Sequence, residues 1–573
     1  MKIEQFRIKN FRAIGGGPGG EGITIKFADN NLIFLSGENN TGKSSVLVAY
    51  DSFVTSDFKP SESDFNAKNL ETPIEIEAWI RAESDEDRDH QALRKWWKDD
   101  IAKIKKTWKK AGVECDKESF DPSNETWTTG GAGGFDSLLQ NACPTVVWIK
   151  GMTSPADVIP QLQGLIKETI LKRLAGTDEY KQAEESVRNL HRLIDGDDYA
   201  MKMQVRLNDT VQRIFPNIQF QLTTPPVQPD LQKILDKQTN VEVKEAGKPM
   251  LDMEHHGHGV RRQFVLTAFK GLSQQLEAMK KTPAARAKNP KMLDIEDAAE
   301  SNNHKSKMLL FEEPELYLHP DAIRSVKELI YALADSSEFQ IMAATHAPVM
   351  IDLSKPHITL VRVASDASGG TSVHQVSTSL FEDDERQSVL MLNRANPYFC
   401  EAFFAKRVVI VEGDTEAIAV RTIVDRLHEE KGLETSSFVH VLNAGGKMNI
   451  PVVQKILRFF NIPYLAFHDL DTSTSSNGAR NPAWTMNGTI WNEIEAAERE
   501  GVLARRVVFS KDFEEAHGYA YDPDQGKPYS AYMAASGWDL DTDDKPIVCY
   551  LRKVLVNQSW EERHSQEDCG ITV

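Results

Sequence analysis

Two kinds of apolar pattern recur along the chain. Runs such as Leu32-Ile33-Phe34-Leu35, Met308-Leu309-Leu310-Phe311 and Val408-Val409-Ile410-Val411 are continuous and bounded by polar or turn residues, the pattern of strands buried on both faces. Ile3 to Ile8, Gly22 to Phe27 and Thr72 to Ile80 instead place apolar residues at or near every second position, the pattern of half-buried strands. Strand, turn and helix-compatible sequence alternate up to residue 80, from Lys307 to about Ala364, and again from Arg407 onward. This alternation predicts an α/β fold with parallel sheets in both halves. Residues 81–245 carry long charged stretches without it and read as a helical insertion, and the polar stretch Ser365 to Gln375 marks an edge. The boundaries that follow are 1–80 and 246–365 for one discontinuous α/β domain, 81–245 for the insertion, 366–404 for a linker, and 405–573 for a second α/β domain.

Composition narrows the class. A chain of 573 residues exceeds a single hydrophobic core, and 40% hydrophobic with 27% charged residues is ordinary for a globular protein. There is no signal-peptide core and no run of about 18 apolar residues, so a cytoplasmic protein without membrane spans is expected. The five cysteines are scattered and form no CxxC pair, which argues against a zinc ribbon and against a disulfide framework. A formal charge of −18 excludes a uniformly basic nucleic-acid coat but is compatible with a local positive groove.

The strand at Leu32–Ser36 runs into Gly37-Glu38-Asn39-Asn40-Thr41-Gly42-Lys43-Ser44-Ser45, a phosphate-binding loop with every fixed position filled. Glycines let backbone N–H groups wrap phosphates at a helix N-terminus, Lys43 neutralises the β/γ oxygens and Ser44 holds Mg²⁺, so ATP is the expected cofactor. The apolar strand ending in Glu312-Glu313-Pro314-Glu315 offers one acid to Mg²⁺, Glu312, and a second to the attacking water, Glu313. A third strand ends in Thr345-His346-Ala347-Pro348, where His346 is placed to sense the γ-phosphate.

A second constellation is acidic. Arg407–Val411 ends at Glu412-Gly413, and Glu416 follows one helical turn later, so both carboxylates can face one point. Downstream, Pro463–His468 runs into Asp469-Leu470-Asp471, two acids on one face of a strand end. Carboxylates gathered at strand ends call for a cation, and hard oxygen donors favour Mg²⁺ or Mn²⁺, ions suited to phosphodiester hydrolysis.

These residues carry a family resemblance. Lys9-Asn10-Phe11-Arg12, the glycine loop, Glu-Glu-Pro-Glu with His319, and Thr-His-Ala-Pro are similar to the ABC-type ATPases of the RecF/SMC class, over about residues 1–80 and 246–365. That resemblance implies nucleotide contact by Arg12 and ATP sandwiched between two heads, hence a homodimer or higher homo-oligomer with the insertion as a dimerisation arm. The trans-acting segment would be His256 to Gln263, which departs from Leu-Ser-Gly-Gly. Glu412-Gly413, Glu416, Asn443-Ala444-Gly445-Gly446-Lys447 and Asp469-Leu470-Asp471 resemble a Toprim domain. An ABC-type head followed by Toprim resembles the OLD (overcoming lysogenization defect) family of nucleases, to which the Gabija nuclease belongs. The resemblance implies metal-dependent DNA cleavage in anti-phage defence, with Glu514 as a further metal ligand and Lys527 as a stabiliser of transition-state charge.

Lys95-Trp96-Trp97-Lys98 and Lys103 to Lys110 with Trp108 read either as a DNA contact or as tryptophans packing an insertion with a solvated lysine face, the commoner case. Lys280 to Lys291 reads as a basic linker. The leading expectation is an ATP-regulated, metal-dependent DNA endonuclease, with a helicase-like, phage-derived or retron activator as a further partner. The rival is a RecF/SMC-like DNA-binding ATPase whose Toprim domain is a non-catalytic platform.

Overall fold

The structure, a computed structural model, describes residues 1–149 apart from 17–19, 28–29, 90–92 and 130–142. It also describes 306–553 apart from 337, 354–359, 366–369, 376–390, 393–395, 397, 433–438, 476–477 and 511, with 177–183, 185–186, 242–244 and 250–252 in between. The chain forms two compact units, Met1–Gly151 with Lys305–Val573, and Met152–His304. In the second unit β9 (Glu242–Lys244) and β10 (Met250–Asp252) pair antiparallel.

Among the described residues the first unit holds three sheets. One has the order β14-β13-β3-β12-β11-β8, from Thr371–Gln375, Leu360–Ser365, Leu32–Ser36, Phe339–Ala344, Lys307–Glu312 and Thr145–Ile149. All its pairings are parallel except that of β14. β3 lies between β13 and β12 with all five residues buried, as its unbroken apolar run requires. A four-stranded, all-parallel sheet has the order β16-β15-β17-β18, from Val439–Asn443, Arg407–Val411, Tyr464–Asp469 and Ala504–Phe509. The α/β class expected from the alternation is the one observed.

The remaining sheet, β2-β1-β4-β5-β6-β7, is antiparallel throughout and corrects two expectations. Its strands are Ile23–Lys26, Lys2–Lys9, Ile74–Arg81, Ile101–Trp108, Asp116–Asp121 and Thr126–Thr129. The N-terminal half is therefore not purely parallel, and the described part of residues 81–149, expected to be helical, is largely strand. The cause lies in β5. Its inward positions are Ala102, Ile104, Lys106 and Trp108, and the fully buried Lys106 donates to the Thr55 carbonyl at 2.9 Å while packing near the Phe53 and Trp108 rings. A lysine at a core position hides the two-residue period. Outward, Lys103 lies 3.8 Å from the Trp79 ring centroid and Lys105 pairs with Glu118 at 2.8 Å. Trp96 and Trp108 are core residues, and Trp108 Nε1 donates to the Phe58 carbonyl, so neither is placed to stack a base.

Helix α1 (Lys43–Val54) follows β3 and buries Val46, Leu47, Tyr50 and Phe53 in a core shared with β1, β4 and β5. Helix α2 (Pro320–Ala334) links β11 to β12. Around the four-stranded sheet lie α3 (Asp414–Lys431), α4 (Ile450–Phe459), α5 (Pro482–Arg499), α6 (Phe513–His517), α7 (Lys527–Gly537) and α8 (Pro546–Arg552). Val409, Val411, Ala417, Val420, Phe467, Phe509 and Ala531 form part of its core.

Candidate active sites

The first site forms where β3 meets α1. Gly37 (φ 130°), Asn40 (φ 62°) and Gly42 (φ 106°) adopt left-handed or related backbone, folding the loop over the helix start. A Cβ on Gly37 would lie 2.0 Å from the Val363 carbonyl oxygen. No side chain caps α1, so its first N–H groups remain available to an anion. Lys43 Nζ donates to the Gly37 carbonyl at 3.0 Å and to the Glu38 carbonyl. Burial lowers its pKa to about 8, against the opposing charges of Glu313 and Glu38. An ammonium so placed, hydrogen-bonded to two neutral carbonyls, fits a phosphate partner. Ser44, Asn39 and Asn40 are exposed, while Thr41 and Ser45 are buried.

β11 ends at Glu312, and the Glu313 N–H donates to the Ala344 carbonyl at 2.8 Å, tying the acids to the end of β12. His346 Nε2 lies 3.8 Å from Glu313 Oε1, and the His346 backbone N–H donates to Glu315 Oε1 at 2.7 Å. Burial and then the Lys43 charge lower the His346 pKa. Lys43, Glu313 and His346, three of the residues singled out in the sequence, thus lie near one another. Arg12 sits beside the loop with Nε 2.8 Å from Asp64 Oδ1, in an ion pair that holds the Asp64 pKa low against burial. His319 caps α2, its Nδ1 accepting from the Asp321 N–H. The segments 256–263 and 280–291 lie outside the described residues.

The second site lies at the carboxyl ends of β15, β16 and β17, where the chain steps from one side of β15 to the other, a position where open α/β sheets bind ligands. Glu412 follows β15, and its Oε2 lies 3.5 Å from the Asp469 N–H at the end of β17. Glu416 projects from the first turn of α3, its Oε2 accepting from the Gly413 N–H at 2.9 Å. Burial raises the Glu412 pKa to about 7; Lys447 opposes the rise, and Glu416 and Asp471 add to it. Burial, then Glu416, Glu412 and Asp471, push Asp469 up to about 8, and burial also raises Glu416. Asp469 Oδ1 is buried without a hydrogen-bond partner.

Cations bracket the row of acids. Lys527, at the start of α7, lies 2.8 Å from Glu514 Oε1, and Glu514 in turn repels Glu416. At the other end Lys447 donates to Asp471 Oδ2 at 2.6 Å and to the Asp469 carbonyl. The six predicted residues, Glu412, Glu416, Asp469, Asp471, Glu514 and Lys527, therefore line one connected site. Glu416, Asp471 and Glu514 each have a hydrogen-bond or ion-pair partner, and among the described residues no three acid, histidine or cysteine side chains close into a metal cage. The hard oxygen set, mutual repulsion and orphaned Asp469 oxygen nevertheless fit a divalent ion. Sequence reasoning assigned no role to Lys447 or Tyr519. The Tyr519 hydroxyl is buried without a partner, and burial with Glu514, Glu416 and Asp469 keeps it protonated. For Lys447 the available signal was a Gly-Gly-Lys turn at a strand end beside Asp-x-Asp.

Comparison with known proteins finds an ATPase domain and a Toprim domain in the chain. A family model described as "AAA ATPase domain" matches residues 1–127 and 154–351. A second, "Overcoming lysogenization defect protein-like, TOPRIM domain", matches 403–471. The chain is 24% identical over 471 residues to the "Old nuclease" of Escherichia phage P2, covering 76% of this chain and 73% of that protein. It is 29% identical over 164 residues to the "OLD nuclease" of Thermus scotoductus, covering 28% of this chain and 30% of that protein. Among solved structures, the SmcHead bound to the C-winged helix domain of ScpA aligns with 66% of this chain and 98% of its own, at 14% identity and a TM-score of 0.37.

Proposed function

We propose, from the premise that the chain belongs to the AAA ATPase domain family and joins that domain to an OLD-like Toprim domain, that this ATPase and nuclease is a divalent-metal-dependent DNA endonuclease regulated by nucleotide. The observation that carries this reading is the acid row Glu412, Glu416, Asp469, Asp471 and Glu514 at the strand ends, bracketed by Lys447 and Lys527. Bound Mg²⁺ or Mn²⁺ supplies the charge that activates water and stabilises the leaving oxygen of a phosphodiester. The chain's own part is to hold the acid oxygens together and to present Lys527 to phosphate charge. At the head, Lys43 and the α1 N–H groups receive the ATP phosphates, Ser44 and Glu312 serve Mg²⁺, Glu313 orients water and His346 reads the γ-phosphate.

Nucleotide control is supported by two strands that touch both the glycine loop and the Toprim part. β13 and β14 meet the glycine loop through Val363 and Thr371, and meet the Toprim part through Arg362 and His374. A homodimer of heads, a role in anti-phage defence and a helicase-like, phage-derived or retron activator complete the proposal.

The test is plasmid nicking in Mn²⁺ by the full chain and its Glu412→Gln variant. The substitution should lower cleavage at least about a hundredfold while leaving ATP binding at Lys43 intact. Undiminished cleavage would sink the assignment. Absence of metal-dependent cleavage by the unaltered chain, with or without nucleotide and phage extract, would favour the DNA-binding ATPase.

A further inference from the structure

Lys447 is a lysine in an unusual place. Its side chain is 2% exposed, whereas lysines ordinarily keep the ammonium in water. The backbone fixes it there. Gly445 (φ 70°) and Gly446 (φ 123°) turn the chain sharply after β16. The Gly446 N–H donates to the carbonyl of Glu412 at 2.7 Å, and Asn449 Nδ2 closes the turn on the Ala444 carbonyl at 2.9 Å. The residue before Lys447 is therefore tied to the carbonyl of one acid, and the Lys447 tip reaches Asp471 Oδ2 and the backbone carbonyl of another, Asp469. Removing an ammonium from water is costly unless carboxylates repay it. The residues that repay it here are the ones expected to hold metal.

We propose that Lys447 is a positioning residue of the Toprim site: a built-in cation that holds Asp471 against the end of β17 and competes with a divalent ion for the same carboxylate. The inference rests on the metal-binding reading of Glu412, Asp469 and Asp471. Asp471, one of the expected ligands, is already engaged by the Lys447 ammonium at 2.6 Å. Lys447 serves the site while no ion is bound and is a rival when one arrives.

The test uses the full chain with Lys447→Met and Lys447→Arg, melted in EDTA and titrated calorimetrically with Mn²⁺. Lys447→Met should melt at a lower temperature in EDTA, bind Mn²⁺ about tenfold more tightly and show a larger Mn²⁺-induced rise in melting temperature. Lys447→Arg, which keeps the charge, should restore wild-type values. A residue that merely supported the fold would lower stability without tightening metal binding. Unchanged or weakened Mn²⁺ affinity in Lys447→Met therefore overturns the proposal. If Lys447→Met is recovered unfolded, Lys447→Gln, polar but uncharged, carries the same expectations. Failure of the unaltered chain to bind Mn²⁺ removes the metal reading itself, whereas normal binding with an indifferent Lys447 removes only the rivalry.

Discussion

His517 lies in the core beside the Toprim sheet, where its two ring nitrogens have different partners. Nε2 lies 3.2 Å from the Ile547 N–H, which can only donate, so Nδ1 carries the proton and donates to the Phe513 carbonyl at 2.8 Å. Protonation would set N–H against N–H. Burial accordingly lowers the pKa to about 4, with Lys545 adding to the shift and the Phe513 carbonyl opposing it. The unfolded chain, titrating near 6.5, binds more protons between those values. This contribution to stability is thus fully present above about pH 6.5 and lost as the pH falls toward 4, a change of about 3 kcal/mol. His374 and His440, also lowered to about 4 mainly by burial, act in the same direction. In saturating Mg²⁺, unfolding free energy should fall from pH 6.5 to 4.5, and His517→Leu should lessen that slope by about one proton. An unaltered slope in His517→Leu would show that the ring does not titrate with unfolding.

At the scale of elements, the β3–α1 loop depends on one missing Cβ. Gly37 approaches β13 so closely that an alanine would meet the Val363 carbonyl oxygen at 2.0 Å, and φ 130° is itself hostile to L side chains. Gly37→Ala should therefore lower ATP affinity at least about tenfold and reduce the melting temperature; calorimetry showing native affinity would mean that the cradle forms without this approach. This loop and the strands β3, β11, β12, β15 and β17 were legible because their apolar runs end directly in chemical residues. The acids Glu412 and Asp469 were readable for the same reason: a strand's end fixes where its next side chain points. β5 was not readable, since Lys106 occupies a core position whose partners, Thr55, Phe53 and Trp108 among them, sequence alone does not bring together. Lys447 was quoted in a motif but without a role, because its burial is created by β15 and β17 rather than by its neighbours in sequence. Glu514 and Lys527 were reached by resemblance alone, and their 2.8 Å ion pair depends on α6 and α7 meeting near α3.

Across the whole unit, one buried guanidinium links the two sites. Arg362 stands opposite Ser36 in the β13–β3 ladder, one residue before Gly37 on the facing strand. Its Nη1 donates to the carbonyls of Phe460 and Asn461 at 3.1 Å, and its Nη2 to Ala405 at 3.4 Å. Asn461 also meets His374 of β14 at 3.3 Å, and Lys406 lies 3.5 Å from Glu38 of the glycine loop. Asn461 lies shortly before β17, which ends at Asp469, so β13 is hydrogen-bonded to the segment that leads into the strand carrying this acid. Spatial continuity alone does not establish coupling. The decisive measurement is the factor by which ATP changes plasmid nicking. Arg362→Met keeps an apolar stem but removes donors to three carbonyls, at a cost of about 3 kcal/mol in stability. If β13 carries the nucleotide's effect, that factor should fall toward one, while ATP affinity and nucleotide-free nicking change less than about threefold. A full ATP response in the variant would assign control to another route, and loss of nucleotide-free nicking would make Arg362 a support of the fold. The first outcome alone makes the head the regulator of the acid row through this arginine.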